Sequence, residues 1–238
     1  GWIGLGRIGT GMALHLLGDG HILHVYDVRP DQMAPLVEAG ALAAGSPAEI
    51  ARQCEAIFIS AVDTDSVAAI VFGPQGIAEA GHAGKPVIDH TTIHPERTRE
   101  LAARLHAETG MTWIDAPVSG TPGTLAVFAG GATADVDSVR PWIAAYASTV
   151  THIGPVGAGQ IAKSCNQIVV TATLAVWSEM LTYAQRLGLD TATLMQALAG
   201  SGADSAVRRY FERELLSQRL PPETVRNLTN DLAIVRDI

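Results

Sequence analysis

Charge is scarce in this sequence: Asp, Glu, Lys and Arg make up 17% of its 238 residues. Acidic residues outnumber basic ones by 24 to 16, giving a formal net charge of -8. The arginines stand singly or in pairs such as Arg208 and Arg209, so the electrostatic footprint of a nucleic-acid binder is missing. Cysteine is nearly absent. Cys54 and Cys165 lie far apart and neither belongs to a CxxC pair, which excludes a disulfide framework, offers no metal site, and leaves two thiols expected to be reduced. No apolar run has the length and purity of a membrane span, and no signal or transit segment opens the chain, so the expected compartment is the cytoplasm. Low-complexity tracts and internal repeats are also missing. An initiating Met is lacking, too few residues precede Gly4 for a full first strand, and the last residues stop within a helical pattern. The expectation is that the chain is part of a longer polypeptide.

What is present is apolar. Hydrophobic residues are 47% and mean hydropathy is +0.21, the composition of a folded, enzyme-like interior. A chain of this length buries a sizeable core and suits two compact units. The end of a strand at Trp2–Leu5 runs into GLGRIG, where Gly4, Gly6 and Gly9 have the GxGxxG spacing, with Arg7 and Ile8 between, ahead of a helical run. The first glycine permits a tight turn, the second lets backbone approach a pyrophosphate, and the third allows close helix packing. A second strand, 21–27, ends at Asp27, roughly 20 residues after the glycines, where a carboxylate accepts bonds from adenine-ribose hydroxyls and repels a phosphate. That favours NAD. Arg29 keeps NADP open, since a guanidinium there could pair with a 2′-phosphate, and Asp27 can also be read as a strand-end turn residue.

The alternation continues with helices at 35–39 and 47–53, a strand at 56–62, a helix near 66–71, a strand at 86–92 and a helix at 95–109. A strand follows at 111–120, and the Gly- and Pro-rich stretch after it reads as a turn. Strand and helix trading places predicts an α/β fold with a parallel sheet covered on both faces. Ligands gather at the carboxyl ends of such strands, so the loops holding Ala61, Val62, Thr91 and Thr92 are expected over a cofactor, although Thr pairs are also common turn residues. Ser119 and Gly120 sit where backbone N–H groups form an anion-binding nest.

Glycines and a proline at 154–159 mark a linker, and beyond it only helices are predicted: 161–187, 191–199 after an Asp190 N-cap, 208–216 and 222–238. The domains are therefore expected at 1–153 and 154–238. Apolar residues occupy nearly every face of the first of these helices, the pattern of a buried helix. Within it Lys163, Asn166 and Gln167 share one face at i, i+3 and i+4. A lysine there either snorkels to solvent or serves a site, and burial disfavours an ammonium ion, which suits an amine that exchanges protons.

Together GLGRIG with Asp27, DHTTIHP at 89–95, DAPVSG at 115–120 and GAGQIAKSCNQ at 157–167 resemble the beta-hydroxyacid dehydrogenases across both halves of the chain. The resemblance implies a Rossmann-type domain, a long interdomain helix, an all-helical C-terminal domain for substrate and dimerisation, and interconversion of a small 3-hydroxy acid and its semialdehyde with NAD or NADP. It implies Lys163 as general acid/base, Asn166 and Gln167 beside it, either of them reaching the lysine or the substrate, Ser119 and Gly120 on a substrate carboxylate, Thr91 and Thr92 on the nicotinamide side, and a homodimer or homotetramer. An imine or phosphogluconate-type reductase on the same scaffold, or a nucleotide-binding scaffold without catalysis, are the alternatives. Two departures from the family pattern stand out. Only Thr121 and Pro122 separate DAPVSG from GTL, and Asn230 stands where a second lysine is usual.

Overall fold

The computed structural model describes residues 1–215 and 222–237. Its contacts divide the chain into two compact units, 1–163 and 164–238.

In the first unit strands and helices alternate: β1 (Trp2–Ile3), α1 (Arg7–Gly18), β2 (His24–Tyr26), α2 (Ala34–Glu38), β3 (Leu42–Ala43), α3 (Pro47–Gln53), β4 (Ile57–Ile59), α4 (Thr64–Phe72), β5 (Pro86–Asp89), α5 (Pro95–Thr109) and β6 (Thr112–Asp115). These strands pair in parallel in the order β3-β2-β1-β4-β5-β6. The order reverses between β1 and β4, the switch point at which doubly wound sheets bind ligands.

Successive residues of a strand point to opposite faces, and in β1, β4, β5 and β6 both faces are largely buried. Trp2, Phe58, Ile88 and Ile114 enter one buried cluster with Met12, Leu16 and Tyr146. Their neighbours Ile3, Ile57, Ile59, Val87 and Trp113 enter the other with Val67, Val71 and Leu105.

The sheet then turns mixed. β7 (Val118–Ser119) and β8 (Leu125–Gly130) form an antiparallel pair, β8 also runs antiparallel to β6, and after α6 (Thr133–Ala144) the strand β9 (Ala147–Gly154) lies parallel to β8. The single strand expected over 111–120 is thus two short strands, broken at Ala116 and Pro117, whose ring nitrogen has no hydrogen to donate. The stretch read as a turn is largely β8.

The second unit is helical in its described residues. The unit boundary falls inside α7 (Ala158–Arg186), which is followed by α8 (Thr191–Ala197), α9 (Ala206–Leu215) and α10 (Pro222–Asp237). The expected ends at 216 and 238 lie outside the described residues. α7 closes as a Schellman motif: Gly188 is left-handed at φ 78°, its N–H donates to the Gln185 carbonyl and the Leu189 N–H to that of Ala184. Asp190 caps α8 by accepting from the Thr193 N–H at 2.8 Å.

Burial on all faces of α7 is not what is found. Trp177, Leu181 and Ala184 are buried, the first two packing with Met195, but Ile161, Ile168, Val169, Val176 and Tyr183 are exposed. Apolar residues on every face report what a helix offers to neighbours, not which faces its own chain covers. Among the described residues no helix is long and apolar enough to cross a membrane.

Candidate cofactor and catalytic site

The three loop glycines occupy three different environments. Gly4 has φ 91°, and a Cβ there would run into the Ser60 carbonyl oxygen; at Gly9 it would run into that of Gly4. A Cβ on Gly6 would meet nothing within 4 Å. Gly6 is also the N-cap of α1, whose first turn has no side-chain cap and no acidic residue. The helix start thus carries no side-chain cap and the space over Gly6 is open, which suits it to cradle a pyrophosphate. Arg7 is exposed beside it, and Ile8 packs against the core.

Asp27, just past β2, is buried, with Oδ2 accepting from the Leu5 N–H at 2.7 Å and Oδ1 from the Arg29 N–H at 2.9 Å. It locks the glycine loop to β2 while leaving lone pairs for hydroxyls, since a carboxylate accepts about four bonds. The exposed Arg29 guanidinium stands 3.7 Å from it.

The loops after β4 and β5 are joined: the Ala61 N–H donates to Thr91 Oγ1 at 3.0 Å, and the Thr91 N–H to Asp89 Oδ1 at 2.9 Å. Val62 is exposed and Thr92 half-buried. Between them His90 is buried, its Nδ1 2.6 Å from the Ala116 carbonyl and its Nε2 2.8 Å from the Tyr146 hydroxyl. A carbonyl only accepts, so Nδ1 carries the proton and Nε2 accepts from Tyr146. Burial holds this imidazole down at about 4, against the pull of the Ala116 carbonyl.

Asp89 and Asp115 are paired in register at the ends of β5 and β6. Burial pushes Asp89 up to about 7, helped by the Asp115 charge and opposed by its bonds from Thr91. Asp89 Oδ2 has no hydrogen-bond partner among the described residues. Burial pushes Asp115 up to about 6, opposed by backbone N–H donors at the start of α7. Gly157 donates to its Oδ1 at 2.7 Å and Gln160 to its Oδ2 at 3.0 Å. A carboxylate from β6 thus caps the helix carrying the lysine, where the helix dipole favours negative charge.

Lys163 is buried, and its Nζ donates to the Val118 carbonyl at 3.0 Å, next to Ser119 and Gly120. The snorkelling reading of this lysine does not hold. Ser119 is half-buried on β7, and Gly120 is exposed at φ 111°.

In the second unit Asn166 Nδ2 donates to Gln167 Oε1 at 2.9 Å, and Gln167 Nε2 donates to Asp231 Oδ2 at 2.6 Å. The Asn230 side chain lies outside the described residues. Sequence reasoning passed over Asp89, His90, Asp115, Tyr146 and Gln160 as individual residues. The available signal was that Asp89 and Asp115 each end a hydrophobic strand, where a carboxylate needs a partner.

Residues 1–154 match the family model for the NAD binding domain of 6-phosphogluconate dehydrogenase, and residues 157–238 match that for the NAD-binding of NADP-dependent 3-hydroxyisobutyrate dehydrogenase. The chain belongs to the beta-hydroxyacid dehydrogenase family. It is an oxidoreductase of a family that binds NAD(P). Among similar proteins, 2-hydroxy-3-oxopropionate reductase of Escherichia coli (strain K12) is 33% identical over 227 residues, covering 93% of this dehydrogenase and 77% of the relative. The 3-sulfolactaldehyde reductase of the same organism is 32% identical over 244 residues, covering 100% and 82%. The crystal structure of 3-hydroxyisobutyrate dehydrogenase from Salmonella typhimurium matches with a TM-score of 0.89 at 28% identity, over 99% of this chain and 85% of that one.

Proposed function

We propose that this dehydrogenase interconverts a small 3-hydroxy acid and its semialdehyde, with Lys163 as general acid/base. The observation that carries the reading is a buried lysine whose amine reaches the Val118 carbonyl, beside the Ser119–Gly120 turn. When bound, the nicotinamide supplies the chemistry of hydride exchange with the substrate carbon. Ser119 and the Gly120 backbone hold the substrate carboxylate and so fix that carbon's distance. In reduction the Lys163 ammonium gives a proton to the carbonyl oxygen; in oxidation the neutral amine removes it from the hydroxyl. Asn166 and Gln167, on the same helix as Lys163, are the further polar residues assigned to orienting the amine or binding substrate.

On the cofactor side, Gly4, Gly6, Arg7, Ile8 and Gly9 take the pyrophosphate. Ala61 and Val62 lie over the cofactor, and Thr91 and Thr92 border the nicotinamide. Asp27 favours NAD through the ribose hydroxyls, while Arg29 is the group that would accept a 2′-phosphate. The helical region 154–238 is the substrate and dimerisation domain of a cytoplasmic homodimer or homotetramer.

The test is a spectrophotometric screen of NADH and NADPH oxidation with glyoxylate, tartronate semialdehyde, methylmalonate semialdehyde and succinic semialdehyde. Turnover on at least one of them supports the reading, and the preferred nucleotide decides between Asp27 and Arg29. Tight nucleotide binding without turnover on any of them would replace it with a binding scaffold.

A further inference from the structure

Gln160 is fully buried, and both polar atoms of its carboxamide meet the backbone of one loop. Its Nε2 donates to the Thr91 carbonyl at 2.8 Å, and its Oε1 accepts from the Ile93 N–H at 3.1 Å. Only one orientation of the amide satisfies both partners. Its own N–H is held by Asp115, so one residue spans the end of β6 and the 91–93 loop. The first turn of α7 has little room to slide beneath this tie. A Cβ on Gly159 would run into the carbonyl oxygens of Phe128 and Asp115, and one on Gly130 into the Asp115 carboxylate and the Gly159 nitrogen. Lys163 follows Gln160 by three residues, about 4.5 Å along the helix axis.

We propose that Gln160 is a positioning residue: its carboxamide ties the Thr91–Ile93 loop to the turn of α7 that precedes Lys163, and so fixes the loop bordering the nicotinamide against the proton-transferring amine. The proposal rests on the dehydrogenase reading for its purpose, though not for its geometry. An apolar side chain of equal size would fill the space but leave a buried carbonyl and a buried N–H without partners. The loop would then be free to shift, and misplacement by about 1 Å in such a site costs up to roughly 100-fold in rate. Among the described residues, the charged and titratable groups around this turn include Asp115 from β6, Asp89 through its bond to Thr91, His90 beside Thr91, Arg99 of α5 against Gly157, and Lys163 on α7 itself.

Two variants and two readouts test it. Gln160→Met keeps the volume and removes both bonds. Its expected signature is a kcat reduced by about 10- to 100-fold, with a cofactor Kd from fluorescence titration moved by less than about threefold. In cofactor-free protein the Ile93 amide should exchange its hydrogen faster by about tenfold or more once its acceptor is gone. Gln160→Glu should be impaired at high pH and recover as pH falls, because a protonated carboxyl donates to Thr91 and accepts from Ile93 as the amide does. A pH profile for Gln160→Glu parallel to wild type, unchanged Ile93 exchange in Gln160→Met, or kcat in folded Gln160→Met within about twofold of wild type would each overturn the proposal. If Gln160→Met does not fold, the Gln160→Glu profile decides. An inactive wild type would sink the dehydrogenase reading alone, and Ile93 exchange would still decide whether Gln160 makes the tie.

Discussion

At the scale of single residues, the unusual investment is in buried titratable groups at the strand ends. Asp89 has a folded pKa raised to about 7, so the folded state holds its proton more tightly than the unfolded chain does. Its contribution is fully present below the ordinary carboxylate range and is lost as pH rises through about 7. Asp89→Asn keeps an acceptor for the Thr91 N–H and removes the ionisation. Urea unfolding should find it more stable than wild type by at least about 1 kcal/mol at pH 8, with the advantage gone near pH 4. A constant difference across that range would contradict the assignment. His90 works in the opposite sense. Its pKa is depressed to about 4, so its contribution is lost as pH falls from the ordinary histidine range through 4. Tyr146→Phe leaves Nε2 buried without its donor and should cost about 1–3 kcal/mol at pH 7, read from the same unfolding curves.

At the scale of elements, the glycines separate packing from binding. Gly6→Ala adds a methyl in open space at a helix N-cap, so stability should fall by no more than about 1 kcal/mol. Cofactor affinity should fall about tenfold or more, because the methyl occupies the pyrophosphate's approach, a loss of ~1.4 kcal/mol. Gly159→Ala drives a methyl into backbone oxygens and should destabilise by about 1–3 kcal/mol despite alanine's better helix propensity. Thermal melts and fluorescence titration on the two variants give opposite patterns if this division holds.

The same elements explain what the sequence discloses. β1, β2, β4, β5 and β6 were legible because each is a short apolar run bounded by turn residues or charge, a mark that buried strands leave, whereas the two-residue edge strand β3 is exposed and left none. α6 and β9 were not. α6 holds Pro141 inside it, and β9 has exposed or half-buried residues along most of its length. The placement of Lys163 on a helix was readable from a long apolar run covering nearly every face, but the partners of that helix were not. Its Asp115 cap comes from 45 residues upstream of Gln160 in sequence, and no local pattern encodes such a contact.

At the scale of the whole molecule, a ligand that binds only the folded state stabilises it by mass action. NADH or NADPH at about 100 times its Kd should add about 2.7 kcal/mol, readable as a rise in Tm of several degrees. The nucleotide that binds more tightly should shift it further, and a Tm indifferent to both would contradict the cofactor assignment. The central claim concerns Lys163. The most direct test is single-turnover reduction of the best substrate by Lys163→Ala and Lys163→Met, with cofactor affinity checked first by titration. The expected result is wild-type cofactor binding with a chemical step slowed by roughly 100-fold or more. A variant that binds cofactor and retains more than about a hundredth of the wild-type rate would contradict Lys163 as the proton donor and acceptor.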